Sequence, residues 1–292
     1  MIMDKSLIFQ NQKPRKKVNI LFILVFIVLA LWCLSMFACL FWLVNNSLKD
    51  GLEYEFSQVE LAKDPLKYAR NYIDAFSEMQ VKGNTFLDML WNTLWMTFGN
   101  ITLTVASSLL FSYVIARYKF PGRDLIYWVI IIRMMLVTVG TLPATYRVYD
   151  ALHLTNSPLY LITALSGTAS FLIYYSAFKG ISKEYAESAF VDGAGHFRVF
   201  YKIMIPQVSG IIIATVTSGF IANWNEYMTF ILYMDRYPSI ASGIYYFKLF
   251  NEMDNFPMLL AAVVMSIIPV VVLFAAFQKQ FINIDLSGGL KG

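Results

Sequence analysis

Side chains able to do acid–base, nucleophilic or metal chemistry are sparse in this 292-residue chain. Its two histidines, His153 and His196, fall in loops on either side of an apolar stretch, so no imidazole pair arises. Cys33 and Cys39 share one apolar run but point about 600° apart around a helix, toward different faces. Neither a disulfide framework nor a thiol–metal site follows. The chain holds no G-x-x-x-x-G-K-[ST] loop for nucleotide phosphates, no G-x-S-x-G elbow and no H-E-x-x-H pair. Gly193-Ala194-Gly195 begins a dinucleotide fingerprint, yet Arg198 stands at the third glycine position and no strand precedes it. A non-catalytic chain with no metal and no cofactor of its own is the expectation.

Polar residues inside apolar stretches are the remaining candidates for chemistry, here of binding rather than catalysis. Asn92, Trp224, Asn225 and Glu226 are candidates to line a wet path through such a stretch. An ionisable group within a membrane costs about 2.5–3.5 kcal/mol on insertion scales and normally faces a partner or a wet path. For Glu226 both readings stay open: pairing that fixes a helix bundle, or lining of a path. Arg133 lies about eight residues into an apolar stretch, roughly 12 Å deep at 1.5 Å per residue, and is expected to pack or pair.

The elements that must position these residues are membrane helices. Apolar residues make up 58% of the chain and charged ones only 14%, against about a quarter charged in a soluble domain. Six stretches are long enough to span: 20–44, 86–116, 125–146, 159–178, 210–233 and 258–281. The fold class expected is an all-α integral membrane protein with six transmembrane helices and both termini in the cytoplasm. That orientation puts fourteen Lys and Arg inside against eight outside, with Arg133 in a span. The basic N-terminus precedes a run too long for a signal-peptide core, so the first span is read as uncleaved. A net charge of +4 does not point to nucleic acid. The first span, almost wholly aliphatic and aromatic, reads as lipid-facing. The second is rich in hydroxyls and amides, which either bond across helix interfaces or line a wet cavity, and reads as central. Residues 45–84 form a polar, part-helical outer segment. No repeat or inverted duplication of the secondary-transporter kind is found.

Between the fourth and fifth spans, residues 182–206 read as helix, turn, helix, lying flat under the membrane. Ser182 can cap a short helix, Gly193 supplies the left-handed position that ends it, and Phe197, Phe200 and Tyr201 recur at helical spacing before Pro206. On pattern alone this is as well an ordinary amphipathic connector.

Glu187-Ser188-Ala189, then Asp192-Gly193-Ala194, Ile203 and Ile205-Pro206, resembles the EAA loop of the membrane subunits of binding-protein-dependent ABC importers. That loop has the pattern E-A-A-x-x-D-G-A with an I-x-L-P ending and precedes the penultimate span. Phe220 to Met228 is similar to the A-W-N-E-F segment of maltose-type carbohydrate permeases. Gln278 to Phe281 and Gly288 to Gly292 are similar to that branch's terminal motifs. The likeness runs from about Phe86 to Gly292.

What the resemblance implies is a type I importer permease for a sugar or oligosaccharide in the cell membrane. Its partners would be a second homologous permease, two ATPase subunits that bind ATP and Mg, an extracytoplasmic sugar-binding protein and the lipid bilayer. Residues 1–85 would hold the N-terminal tail, first helix and external segment. Residues 86–282 would be the permease core, and 283–292 a tail contacting the ATPases. Coupling would fall to Glu187, Ser188, Ala189, Asp192, Gly193, Ala194, Ile203 and Pro206, and tail contact to Gly288, Gly289, Lys291 and Gly292. The segment from Asp235 to Phe256 would reach the binding protein through a compact polar turn at Pro238, Ser239, Ser242 and Gly243. A self-sufficient secondary transporter or channel for a small polar solute is the alternative.

Overall fold

A computed structural model of the chain describes residues 20–136, 140–166, 170–250 and 256–288. Helix α1 (Ile20–Ser47) stands with its apolar side chains exposed, as a lipid-facing helix must. Three short helices follow, α2 (Gly51–Phe56), α3 (Pro65–Tyr68) and α4 (Arg70–Ser77), with a small antiparallel hairpin of β1 (Gln80–Val81) and β2 (Asn84–Thr85). Asn45, Asn46 and Asn71 bond the backbone of this region, and the buried Lys49 donates to the Ser57 carbonyl at 2.6 Å. Ala75 and Met79 join the main core beside Phe86 and Met89, so this segment is built into the bundle.

The long central helix α5 (Phe86–Arg117) starts at a capping box, in which Thr85 and Asp88 satisfy each other's backbone N–H groups. Then come α6 (Arg123–Met135), α7 (Leu142–Ala151), a 3₁₀ segment (Pro158–Ser166) and α8 (Phe171–Gly180). The loop region holds α9 (Glu184–Val191), α10 (His196–Val199), a π turn (Phe200–Met204) and α11 (Ile205–Gln207). Helices α12 (Ser209–Trp224), α13 (Met228–Tyr233), α14 (Ile240–Phe250) and α15 (Phe256–Gly288) complete the order. Helix α5 packs on α8, α12, α14 and the 3₁₀ segment, and α15 covers α1, α4 and α12.

Three of the expected spans are not single helices. Among the described residues three helices are long and apolar enough to cross a membrane, or five if each bent pair is one span. The stretch 125–146 breaks after Met135, because Leu136 turns to extended backbone, Gly140 sits at φ 77° and Pro143 opens α7. Arg133 therefore lies in the last turn of α6, exposed and without an ion pair among the described residues. Its charge there complements the helix C-terminus rather than a partner helix. The stretch 159–178 bends by 48° between the 3₁₀ segment and α8.

The stretch 210–233 breaks at the residues singled out for chemistry. Asn225 Nδ2 donates to the Ile221 carbonyl at 2.8 Å, while Glu226 Oε1 accepts from the Thr229 N–H at 2.8 Å. These side chains supply at the break the bonds that a continuous helix would make within its backbone. At the other end, the segment His196–Gln207 meets α12 at 75°. Pro206 cannot donate to the carbonyl four residues back, and the preceding turn widens to π geometry.

Candidate functional site

The 182–206 loop is built around one turn. The Glu184 N–H donates to Ser182 Oγ at 3.3 Å, and α9 ends after Val191. The Gly193 N–H then donates to the Phe190 carbonyl at 3.0 Å and the Ala194 N–H to the Ala189 carbonyl at 2.9 Å. This is the Schellman pattern, with Gly193 in the left-handed position at φ 79°. Its apolar complement is present, since Ala189 and Ala194 pack in one cluster with Val199, Met204 and Val208. Ile203 packs against that cluster, while Glu187, Ser188, Asp192 and Pro206 are exposed.

Side chains that sequence reasoning did not single out fix this loop to the membrane helices. Tyr113 of α5 and Tyr174 and Phe178 of α8 share its core, with the Tyr113 ring 4.7 Å from that of Phe200. Arg117 Nη2 donates to the Ile181 carbonyl at 2.7 Å, and the Tyr118 hydroxyl meets His196 Nδ1 at 2.9 Å. A force on α9 therefore reaches α5 and α8 through close-packed side chains, which deform little. The loop exposes large apolar and aromatic side chains among charged ones: Val191 is 87% exposed and Phe197 78%, with Tyr185 and Tyr201 also bare, interspersed with Glu184, Asp192, Arg198 and Lys202. Phe197 and Tyr201 stack in parallel on it, with interplanar angle 2°. A surface of this kind marks an interaction site.

A polar groove runs between α5 and α12. Glu226, Asn223, Asn100, Thr97, Tyr160 and Thr229 line a cavity of about 170 Å³. A second cavity of about 420 Å³, with Thr104, Thr215 and Ser218, shares Asn100 and Asn223 with it. Of the four residues expected on a path, only Glu226 reaches this groove. Asn225 is exposed beside it, whereas Asn92 is buried with its Nδ2 on the Pro238 carbonyl at 3.2 Å. Trp224 is buried and donates to the Ser266 carbonyl at 3.0 Å. Asn100 and Asn223 escape a motif search because their role depends on which faces of α5 and α12 meet. The hydroxyls of α5 divide between both uses: Ser112 bonds the Phe171 carbonyl at 3.0 Å, whereas Thr97 lines the cavity.

Pro238, Ser239, Ser242 and Gly243 come together, but inside the bundle. Ser239 and Ser242 are fully buried and bond each other, and the Ile240 N–H donates to Thr93 Oγ1 at 2.9 Å. These four residues thus offer no surface to a partner; the turn is pinned on α5, and among the described residues of the segment Arg236, Tyr245, Lys248 and Leu249 are exposed. Lys82 of the hairpin bonds Asp235, which also accepts from the Tyr246 hydroxyl at 2.8 Å. Burial opposes the Asp235 charge, yet the bonds from Lys82 and Tyr246 hold its carboxyl below the usual range. Burial likewise opposes the Lys82 charge, and the same contacts raise it above its usual value.

A carboxyl held low stabilises the fold above its unfolded value and loses this as pH falls through the folded one; an ammonium held high stabilises below its unfolded value and loses this as pH rises through the folded one. The clip should therefore persist from about pH 4 to about pH 10. Its effect on global stability is small, since the side chains are 39% and 44% exposed. Asp235→Asn should speed hydrogen exchange of the hairpin amides at pH 7 and leave it equal to the parent's below the folded value of Asp235. Equal exchange at both pH values would remove the clip.

Gly288 ends helix α15, so the helix runs across the expected boundary at 282–283. Gly289, Lys291 and Gly292 lie outside the described residues.

Apolar helices around a polar groove, with a rigid helix–turn–helix presenting bare apolar side chains at one end, define a multi-pass membrane transport subunit. The chain belongs to the binding-protein-dependent transport system inner membrane component family, whose model matches residues 108–282. It is thus a non-catalytic permease of an ABC import system. It is 30% identical over 201 residues to the sn-glycerol-3-phosphate transport system permease protein UgpE of Yersinia pestis, covering 67% of this chain and 71% of that one. It is 25% identical over 260 residues to the diacetylchitobiose uptake system permease protein NgcG of Streptomyces coelicolor, covering 87% and 83%. It is 26% identical over 255 residues to the arabinooligosaccharides transport system permease protein AraQ of Bacillus subtilis, covering 87% and 90%. The fold matches a chain in the crystal structure of a bacterial ABC transporter involved in import of the acidic polysaccharide alginate, with TM-score 0.75 and 19% identity over 93% of this chain and all of that one.

Proposed function

We propose that this chain forms half of the translocation path of an ATP-driven importer for a sugar or oligosaccharide. The observation that carries the reading is the set of bare apolar side chains on a loop locked to the membrane core. A second permease would complete the path, two ATPases binding ATP and Mg would dock on residues 182–206, and an external binding protein would deliver substrate. The relatives, named for uptake of diacetylchitobiose, arabinooligosaccharides and sn-glycerol-3-phosphate, support the substrate class.

In this reading the chain crosses the membrane six times, with each broken stretch counting once and both termini in the cytoplasm. Residues 1–85 carry the first helix and an external segment that packs into the core 86–282, and the tail 283–292, which continues α15 as far as Gly288, contacts the ATPases. Closure of the ATPases on nucleotide pushes α9, with the exposed Glu187, Ser188, Asp192 and Gly193 at the contact, Ala189 and Ala194 fixing the turn behind them, and Ile203 and Pro206 setting the return path. The cluster shared with α5 and α8 carries the displacement to the groove, which alternates between the two sides.

Amide and carboxylate groups of Asn100, Asn223 and Glu226 suit sugar hydroxyls, which both donate and accept. Binding-protein contact passes from the buried 238–243 turn to the exposed Tyr245 and Leu249.

Replacing Phe197 and Tyr201 by serine should cost most of the ATPase that co-purifies with the permease pair, with the permeases still paired. Full retention would favour the self-sufficient carrier. Glu226→Gln keeps an acceptor for the Thr229 N–H but removes the charge. Assembly is expected intact with uptake reduced several-fold, and uptake at the parent rate would leave Glu226 only as a helix cap.

A further inference from the structure

Behind α9, on the side facing the membrane helices, lies a cavity of about 320 Å³ that is separate from the groove and shares only Glu187 with the proposed docking contact. It is walled by the end of α5, the turn into α6, the end of α8 and the inner face of α9. Five cations line it, Arg117, Lys119, Arg123, Lys179 and Lys183, against the single carboxylate of Glu187. Arg123 also has Asp124 at 3.8 Å, but that side chain is 88% exposed. Arg117, Lys119, Lys179 and Lys183 have no ion pair among the described residues.

The donors are also incompletely used. Arg117 is held in place through its Nη2, yet its Nε and that of Arg123 are buried with no hydrogen-bond acceptor. Buried donors without acceptors are costly, so the arrangement calls for an acceptor that the chain does not supply. The group must be compact, anionic and rich in oxygens, which describes a phosphate.

The position selects its source. Arg117 closes the long apolar helix α5, Lys179 closes the apolar α8, and Arg123 opens α6, which is apolar from Leu125 to Ile132 before Arg133 in its last turn. This is the depth at which lipid head groups sit, and the Tyr113, Ala116 and Phe190 side chains give the cavity an apolar wall for the glycerol end of a lipid. We propose that this cavity binds the phosphate of an anionic phospholipid, which neutralises the cations and wedges α9 at a fixed angle to α5 and α8. The coupling role of α9 belongs to the function proposed above; the lipid site itself does not depend on it.

The test uses the full importer complex, delipidated in neutral detergent and offered nanodiscs or micelles of phosphatidylglycerol or phosphatidylcholine, with native mass spectrometry counting retained lipid. The parent should retain phosphatidylglycerol in preference to phosphatidylcholine. The triple variant Lys119→Gln, Lys179→Gln, Lys183→Gln should lower that retention about tenfold or more, since it removes three of the five cations that line the cavity. Lipid preference that is absent, or equal in parent and variant, overturns the proposal. A parent that takes up inorganic phosphate with no lipid preference assigns the site to free phosphate and overturns the lipid source. Loss of ATPase from the variant with lipid retention unchanged would assign the cations to an ATPase carboxylate and likewise overturn it.

Discussion

Replacing Gly193 by valine is expected to abolish substrate uptake while the permease still folds and inserts. The cause is backbone conformation rather than crowding, because a Cβ at this position would meet nothing within 4 Å. At φ 79° a side chain with bulk at Cβ is strained, by roughly 1–2 kcal/mol for an ordinary residue and more for a β-branched one. The valine chain can relieve that strain by letting the turn drift, which breaks the Ala194–Ala189 and Gly193–Phe190 bonds and swings α9 away from α10. The membrane helices need none of this, so insertion and melting should stay near the parent. Gly193→Asn, which tolerates the left-handed region, should keep most of the uptake. Parent-level uptake by the valine variant would show that the turn geometry does not matter to transport.

Gly243 should fail differently. Here a Cβ would stand 2.1 Å from Met89 Sδ, and Met89 is fully buried in the main core. Even alanine forces the methionine out of its place, and overpacking of a core typically costs about 1–3 kcal/mol. Gly243→Val is expected to lower yield and drop the melting midpoint by several degrees in detergent, as the 238–243 turn lifts from Thr93 and Asn92. Gly243→Ala should fall between the parent and Gly243→Val, because a single carbon needs only the end of the Met89 side chain to shift. A Gly243→Val protein that melts with the parent would contradict the close approach of α14 to α5.

These two glycines show what the sequence could convey. Gly193 was legible because it ends an eight-residue helix within a local pattern, and the Schellman bonds run only between residues 189 and 194. Gly243 was legible as a turn residue but not as a contact, since Met89 is remote in sequence. For the same reason Ser239 and Ser242 read as part of an exposed polar turn, although they satisfy each other inside the bundle. The apolar character of α1 and the central place of α5 followed from composition. Helix continuity did not, because a test of apolar length adds up residues on both sides of a break and is blind to Asn225 and Glu226 closing one. The groove residues Asn100 and Asn223 needed the packing of α5 on α12 before either had a role.

Coupling of transport to ATP through the 182–206 loop is the central proposal, and reconstitution tests it most directly. Proteoliposomes would carry this chain, its permease partner and the ATPases, with sugar-loaded binding protein outside and ATP inside. Uptake and ATP hydrolysis should rise together on adding loaded binding protein, and the Phe197→Ser, Tyr201→Ser variant should lose both. Sugar uptake by this chain alone, unaffected by ATP or by those substitutions, would contradict the account.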